Sequence, residues 1–529
     1  MKKSKYIAMC IILTICMLVL SSCNSMNTEN TKETIDLSKY PVNTDVELTY
    51  WAALDPNVSN TYTNYGETPF AKELEKRTGI KVKYVHPALG QEGEAFNLMV
   101  ASNSFTDIIE SAWFASFSGG PTTAINNKVI LPLNDLMKDY APNLSEFLAK
   151  NPDIDKSVKT DDNLYYCFPF IRNDKSLLMS AGPIIRKDWL DDLGLDIPVT
   201  VDDWEKMLTE FRDKKGAPTP LTILSSQRSR LFAMMDSAYD FYLENGQIKY
   251  GPLEPEYKYA LETLNRWFQN GLLDKNFTLI DNSLLDASIL NGKAGATYGS
   301  GGSGIGKWLN AAKDENFDLI GAPMPVGRTG EPNRFAGASD YYSPYGCAAI
   351  STNCKYPELA AKFLDYAYSE EGRIFFNFGT EGVSFNWEDG YPKYTNLIMN
   401  NPDGMSVSQA MAVYIRGSRS GPFIQDPRYL EQYYALDQQK EALKNWLTSF
   451  DASYKTKLPS FTFSAEESAE YANIMNEIDK YKNETSVEFI FGVKPLSEYD
   501  EFITNIKKMN IDRAIEIQQN AYTRYMNRK

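Results

Sequence analysis

Between Val46 and Glu110 the hydrophobic pattern alternates between strand and helix through five short segments, and this alternation constrains the fold more than any other feature. Val46, Leu48 and Tyr50 alternate with polar residues, the period of a strand with one buried face, and the segment ends near Trp51. After a loop rich in Pro, Asn and Tyr, Pro69 stands where a helix can begin, Phe70 and Leu74 share one face, and Gly79 is placed to end it. Ile80 to Val85 reads as a second strand, Glu94 to Ala101 as a helix, and Thr106 to Glu110 as a third strand. Strand-helix-strand-helix-strand implies parallel pairing through right-handed crossovers. Open sheets of that kind take ligands beyond the carboxyl ends of their strands, where Trp51 and Trp113 fall.

The chain has 529 residues, three to four times a common domain length, so at least two cores are expected, and 43% hydrophobic side chains suffice to fill them. Trp189 to Leu193 and Val201 to Arg212 read as helices, the latter with Thr200 as a cap. Pro255 to Asn270 is a long amphipathic helix closed by Gly271, and Glu358 to Tyr368 is another. The last third, from Tyr429 to Lys529, is mostly helical in pattern, with an amphipathic segment from Tyr499 to Tyr525.

Charge and rare residues narrow the chemistry. Lys and Arg total 54 against 69 Asp and Glu, a net charge of −15 that repels a phosphate backbone and excludes nucleic acid as a partner. The single histidine, His86, rules out a His-rich metal site. It precedes a proline at a strand end and reads as structural. No metal and no cofactor are expected.

Lys2, Lys3 and Lys5 precede an apolar run from Ile7 to Leu20, too short for a spanning helix of about 20 residues. The run ends in Leu20-Ser21-Ser22-Cys23, which resembles the lipobox of bacterial lipoproteins and makes Cys23 the lipidated residue. Residues 1–22 are then a signal peptide and 23–44 a flexible tether. Of the remaining cysteines Cys167, Cys347 and Cys354, the last two are candidates to pair, although buried free thiols are favoured.

Three passages together resemble the family 1 extracellular solute-binding proteins. Phe105-Thr-Asp-Ile-Ile-Glu110 with Asn126-Asn-Lys-Val-Ile-Leu-Pro-Leu-Asn134 is the first, and Leu164-Tyr-Tyr-Cys-Phe-Pro169 with Ile185-Arg-Lys-Asp-Trp-Leu190 and Thr200-Val-Asp-Asp-Trp204 is the second. The third is Cys354-Lys-Tyr-Pro-Glu-Leu-Ala-Ala-Lys-Phe-Leu-Asp365 with Ser369-Glu-Glu-Gly372. The long C-terminus, with Asn97-Leu-Met-Val-Ala-Ser102 and Ile511-Asp-Arg-Ala-Ile-Glu-Ile-Gln518, is more narrowly similar to LplA-type lipoproteins of Gram-positive sugar importers. The resemblance implies a periplasmic-binding-protein-like α/β fold of two lobes joined by a hinge, with about three chain crossings. It places these near Phe170 to Asp174, Pro323 to Thr329 and Phe385 to Met399. Lobe one would comprise residues 45–170 and 330–384, and lobe two residues 171–329 and 385–529. It further implies a monomer, lipid-anchored on the extracellular face of the cell membrane, that delivers an oligosaccharide to the permease subunits of an ABC transporter. Where many relatives resemble an EF-type calcium loop, this chain reads Asp213-Lys-Lys-Gly-Ala-Pro-Thr-Pro220, with one carboxylate beside two lysines, so no calcium is expected there.

A sugar site needs flat rings for the C–H faces and planar polar groups for the hydroxyls. Candidate rings are Trp51, Trp113, Phe114, Tyr341, Tyr342 and Trp387; candidate polar partners are Arg172, Arg228, Arg416 and Arg419, each weighed against core packing or plain surface roles. Fixed guanidinium groups suit uronates and leave both neutral and acidic oligosaccharides open as ligands. Gly299-Ser-Gly-Gly-Ser-Gly304 fits a dinucleotide pattern, but an exported chain has little access to such a cofactor. In the resembled family the passage approaches the sugar, with a flexible loop as the alternative. An exported glycoside hydrolase with a carboxylate pair, or a polysaccharide-binding surface adhesin, are the competing functions.

Overall fold

The computed structural model describes residues 35–529. Cys23, the leader and the first part of the expected tether lie outside the described residues. The chain opens with strands β1 (Glu47–Trp51), β2 (Lys81–Val85) and β3 (Ile108–Ser111), connected through helices Pro69–Thr78 and Glu92–Ser102. β1 pairs parallel with both β2 and β3, with Leu48 opposite Val82 and Tyr50 opposite Ile108. The first helix is fixed at both ends. The Thr68 hydroxyl accepts from the Ala71 amide, and Gly79 stops the helix at φ 71° where a Cβ would strike the Val42 carbonyl.

β4 (Phe168–Arg172) completes the first passage, and the chain then leaves for a second sheet. There β5 (Ala181–Arg186) is followed by the hairpin β6 (Phe241–Glu244) and β7 (Gln247–Tyr250), then β8 (Ala296–Ser300) and β9 (Leu319–Gly321), in the order β8-β5-β9 with β5 antiparallel to both neighbours. β10 (Tyr342–Ile350) returns to the first sheet and lies antiparallel between β3 and β4. A hairpin of β11 (Phe385–Glu388) and β12 (Tyr391–Tyr394) precedes the two-residue β13 (Ile424–Gln425), parallel to β4. The first sheet thus reads β13-β4-β10-β3-β1-β2.

Two separate cores correspond to the two lobes. One is built from Val42 through Ile171 and from Tyr342 through Phe376, with Phe423 and Ile424; the other from Leu178 through Ala338 and from Ala442 through Ala514. The expected crossings shift accordingly. Ala336 and Ala338 still pack in the second core, so the second crossing falls at about residues 339–341 and not at Pro323 to Thr329. The third is later still. Residues 385–425 stay with the first lobe: Ala412 packs with Leu54, Val58 and Tyr65, and β13 extends the first sheet, so the chain crosses only after Gln425. A strand of two residues carries too little pattern to be read in advance. Leu177 from the first crossing meets Leu430 and Tyr434 from the third, so the two exchanges lie side by side.

Residues 35–44 and the end of the C-terminal helix both settle on the first lobe. Residues 35–44, expected within a flexible tether, are packed: the Tyr40 ring meets Tyr366 edge-on, its hydroxyl donates to the Lys362 carbonyl, and the Val42 amide donates to Thr78. The expected single amphipathic segment from Tyr499 to Tyr525 is two helices, broken where Asn510 takes φ 70°. The second, Ile511–Met526, starts in the second core and ends on the first lobe, where Asp161 accepts from Arg524 at 2.9 Å and Arg528 at 2.7 Å. The Arg528 side chain is 0% exposed. Among the described residues no helix is long and apolar enough to cross a membrane.

His86 ends β2 and joins three segments of the first lobe. Its Nε2 accepts from the Tyr65 amide at 3.1 Å, so its Nδ1–H must donate to the Ala52 carbonyl at 2.8 Å, and the ring is held neutral. Burial, with Arg416 nearby, holds its pKa below the usual value. The unfolded chain takes a proton there near pH 6.5 while the folded chain resists it. The stabilisation is therefore full above that pH and is lost as pH falls toward the folded value. Urea unfolding midpoints measured between about pH 7.5 and 5.5 should drop more for the unaltered protein than for His86→Gln; equal slopes would show that the histidine is not held neutral.

Candidate ligand cleft

The carboxyl ends of β1, β3, β4 and β13 and the start of β10 share one edge of the first sheet. In the second lobe the end of β8, the start of β5 and the passage after Leu221, which runs parallel to β8, share another. Two of the crossings join these edges directly, Arg172 to Ala181 and Ala338 to Tyr342, so the edges face each other across a cleft. A ligand here would touch both lobes and the hinge.

The first wall is closed by the loop Arg416–Gly421, which crosses the sheet edge and seats against Gly346 at φ 75°, where a Cβ would lie 2.8 Å from the Gly421 nitrogen. Arg416 fastens it. The guanidinium bonds Glu110 Oε1 at 2.5 Å and the Ser420 carbonyl at 3.1 Å, and Glu110 Oε2 accepts from the Tyr50 hydroxyl at 2.7 Å. Burial pushes the Glu110 carboxyl up, against the pull of Arg416 and Tyr50. Arg416, expected to contact ligand, is a buried fastener.

The other expected residues divide. Trp51 and Trp113 are core residues, both packed against Phe96, and Trp113 is 0% exposed. Phe114 is half-buried, edge-on to Tyr166 and Tyr342. Tyr342 is buried with its hydroxyl bonded to that of Tyr166, and Tyr341 meets Tyr454 edge-on at the second crossing. Trp387 lies on the β11–β12 hairpin and lines a 680 Å³ surface pocket with Arg77, which ends the helix just ahead of β2, so it stands at the opposite, amino edge of the sheet. Arg172 braces two crossings, donating to the carbonyls of Leu177 at 3.2 Å and Asp340 at 3.4 Å, with burial lowering its pKa. Arg228 lies on the passage that follows Leu221 in the second lobe and donates to the Ser225 carbonyl at 3.1 Å. Arg419 lies over the Tyr65 ring at 4.6 Å; its nitrogens are shielded without a hydrogen-bond partner among the described residues, and burial draws its pKa down to about 10.

Two residues of the cleft were missed. Between Ser343 and Ala348 the register of β10 against β4 slips, and the bulge carries Tyr345, 62% exposed, out at the cleft edge. The Pro344-Tyr345-Gly346 turn signal was available to place it. Arg230, two residues beyond Arg228, lies over the Tyr298 ring at 5.2 Å.

The glycine run has a packing role. It forms a π-helical turn, Gly301–Gly306, after β8. A Cβ on Gly301 would lie 2.6 Å from the Tyr434 ring and one on Gly302 2.8 Å from Tyr433, and one on Gly306 would strike Gln439, whose amide donates to the Gly301 carbonyl. The glycines admit the helix Asp437–Leu447 to the end of the sheet, and the turn is neither a phosphate cradle nor a free loop. In the passage after Arg212, Asp213 is held by Arg212 at 2.6 Å and Lys215 by Asp192 at 2.6 Å. Cys167, Cys347 and Cys354 are buried free thiols, and the Cys347 thiol donates to the Ser343 carbonyl. Among the described residues no cluster of three His, Cys, Asp or Glu is placed to hold a metal.

Residues 59–374 match the family model of the bacterial extracellular solute-binding proteins, across both lobes. The chain belongs to that family. It is 23% identical over 566 residues, covering 100% of both chains, to the fructooligosaccharide ABC transporter substrate-binding protein FusA of Streptococcus pneumoniae serotype 4. It is 26% identical to lipoprotein LipO of Bacillus subtilis, covering 66% of this chain and 70% of that one. Among solved structures, the alginate-binding protein AlgQ2 superposes with a TM-score of 0.71 over 91% of this chain and 99% of the other, at 22% identity. A solute-binding protein of this architecture works by the cleft its lobes enclose, so residues divide into those that build the wall and those that face the opening. Trp113→Ala should cost about 3–5 kcal/mol in urea unfolding. Tyr345→Ala should stay within about 0.5 kcal/mol of the unaltered protein; the reverse order would exchange their assignments.

Proposed function

We propose that this solute-binding protein captures an oligosaccharide in the cleft between its lobes and hands it to the permease subunits of an ABC importer. The observation that carries the reading is Tyr345, a large exposed ring at the carboxyl edge of the first sheet; the second lobe contributes the polar passage Ser225 to Arg230, which follows Leu221 at its own sheet edge. A sugar ring offers C–H groups to such a face, and its hydroxyls need the flat polar groups opposite. FusA is named for fructooligosaccharides and AlgQ2 for alginate, and both names agree with this reading. Diacylation of Cys23 would supply two hydrocarbon chains, enough for stable anchoring at the outer face of the membrane, in keeping with the name of LipO. The protein acts as a monomer.

Binding without turnover is the favoured chemistry. Glu110 is the buried acid of the first wall with a raised pKa, the property of a glycosidase acid. Both its oxygens are committed, one to Arg416 and one to Tyr50, so it is a structural acid. Contacts from both lobes make closure a population shift driven by the ligand's preference for the closed state. Saturating oligosaccharide should reduce the radius of gyration in solution scattering, release no new reducing ends, and bind at least about tenfold more weakly to Tyr345→Ala. An unchanged radius at saturation would overturn the hinge, and new reducing ends would make the protein a hydrolase.

A further inference from the structure

The arginines of this chain are unevenly partnered. Among the described residues ten of the sixteen form ion pairs with an acid. Of the other six, Arg172 braces two crossings, Arg228 and Arg230 lie on the passage that follows Leu221 in the second lobe, and Arg419 lies in the loop at the edge of the first sheet. Acids at the same edges are already engaged. Glu110 is held by Arg416 and Tyr50, Asp340 by Lys457 at 2.7 Å, and Asp55 and Asp174 cap short helices. A chain of net charge −15 thus keeps four arginines without an ion-pair partner near its sheet edges, with Asp55 and Asp340 the acids whose fields reach Arg419 and Arg172. Low-dielectric walls focus the field of such arginines on whatever enters.

Arg230 is the cation best placed to touch a ligand. Its guanidinium lies over the Tyr298 ring and lines a 260 Å³ cavity beside the second crossing, with Ser237, Tyr239 and Tyr242. Gly337, at φ 94°, makes the room: a Cβ there would strike the guanidinium. The other charged groups of the cavity are spent, Arg334 on Asp236 and Glu244, Lys457 on Asp340, and Asp240 on Lys482. Arg419, shielded over Tyr65, adds field without contact. Hydroxyl groups of a neutral sugar need no such arrangement, whereas a carboxylate matches a guanidinium with two parallel bonds.

We propose that the ligand is an acidic oligosaccharide, with the carboxylate of one uronate residue gripped by Arg230 from the second lobe. The inference rests on the sugar-binding reading of the cleft and narrows it. Calorimetry on the full protein should compare trimers of galacturonate and of mannuronate with their methyl esters, which keep the skeleton and remove the charge, and with neutral fructo- and gluco-oligosaccharides. At least one acid trimer should bind about tenfold or more tightly than its ester. The gap should narrow as salt rises from about 20 to 300 mM, because surface charge is screened. Arg230→Met should bring acid and ester within about threefold of each other, Arg230→Lys should retain part of the gap, and the remote Arg373→Met should leave it intact. Melting curves check that each variant is folded. Esters binding as well as acids, neutral sugars binding while uronates do not, or a gap that survives in Arg230→Met would each overturn the inference and leave the sugar reading standing. If no saccharide in the panel binds, the sugar reading falls, and this inference with it.

Discussion

A buried ion pair holds the first wall of the cleft. Arg416 and Glu110 are 306 residues apart, and their contact, completed by the Tyr50 hydroxyl, ties a loop to the middle strands of the sheet. Taking two charges out of water costs several kcal/mol for each, and only close pairing with further hydrogen bonds offsets it. The arrangement is therefore intolerant of loss on either side. Everything at that edge follows from it: the loop lies flat, Gly346 and Gly421 approach closely, the β10 bulge points outward, and Tyr345 stands clear of the core.

The fold was largely legible because its signals are local. The alternating period from Val46 to Glu110 became three parallel strands and two helices, Gly79 ended its helix, and Thr200 became the capping residue of Val201–Lys214. Lobe boundaries were less so. Which core claims a segment depends on contacts between residues far apart in sequence, such as β13 with β4, and no local period records them.

The site was legible by passage and obscure by residue. The passages around Trp113, Arg228, Tyr341 and Arg416 all lie at or near the cleft, yet side-chain direction divided them. Trp113 follows β3 and turns into the core, and Tyr342 points inward while Tyr345, an odd number of residues later, falls on the opposite face and stands clear where the register slips. Arg416 was spoken for by a glutamate that no spacing rule connects to it. The run Gly299 to Gly304 carried a pattern associated with phosphate loops, but Gly301 and Gly302 answer to the rings of Tyr434 and Tyr433. Composition names the residue types a sugar site uses; only the packing tells which of them are free.

The C-terminal helix gives the molecule an unexpected mechanical layout. Residues 35–44 are packed on the first lobe, and the far end of the chain is hooked to the same lobe through Asp161. The second lobe is thus two excursions of chain, each leaving the first lobe and returning to it. A pull applied at residues 35–44 or at the last turn of the C-terminal helix is carried into the first sheet and its flanking helices and bypasses the opening between the lobes. The opening between the lobes lies outside that path, so load borne by the first lobe leaves the second lobe's own packing unloaded.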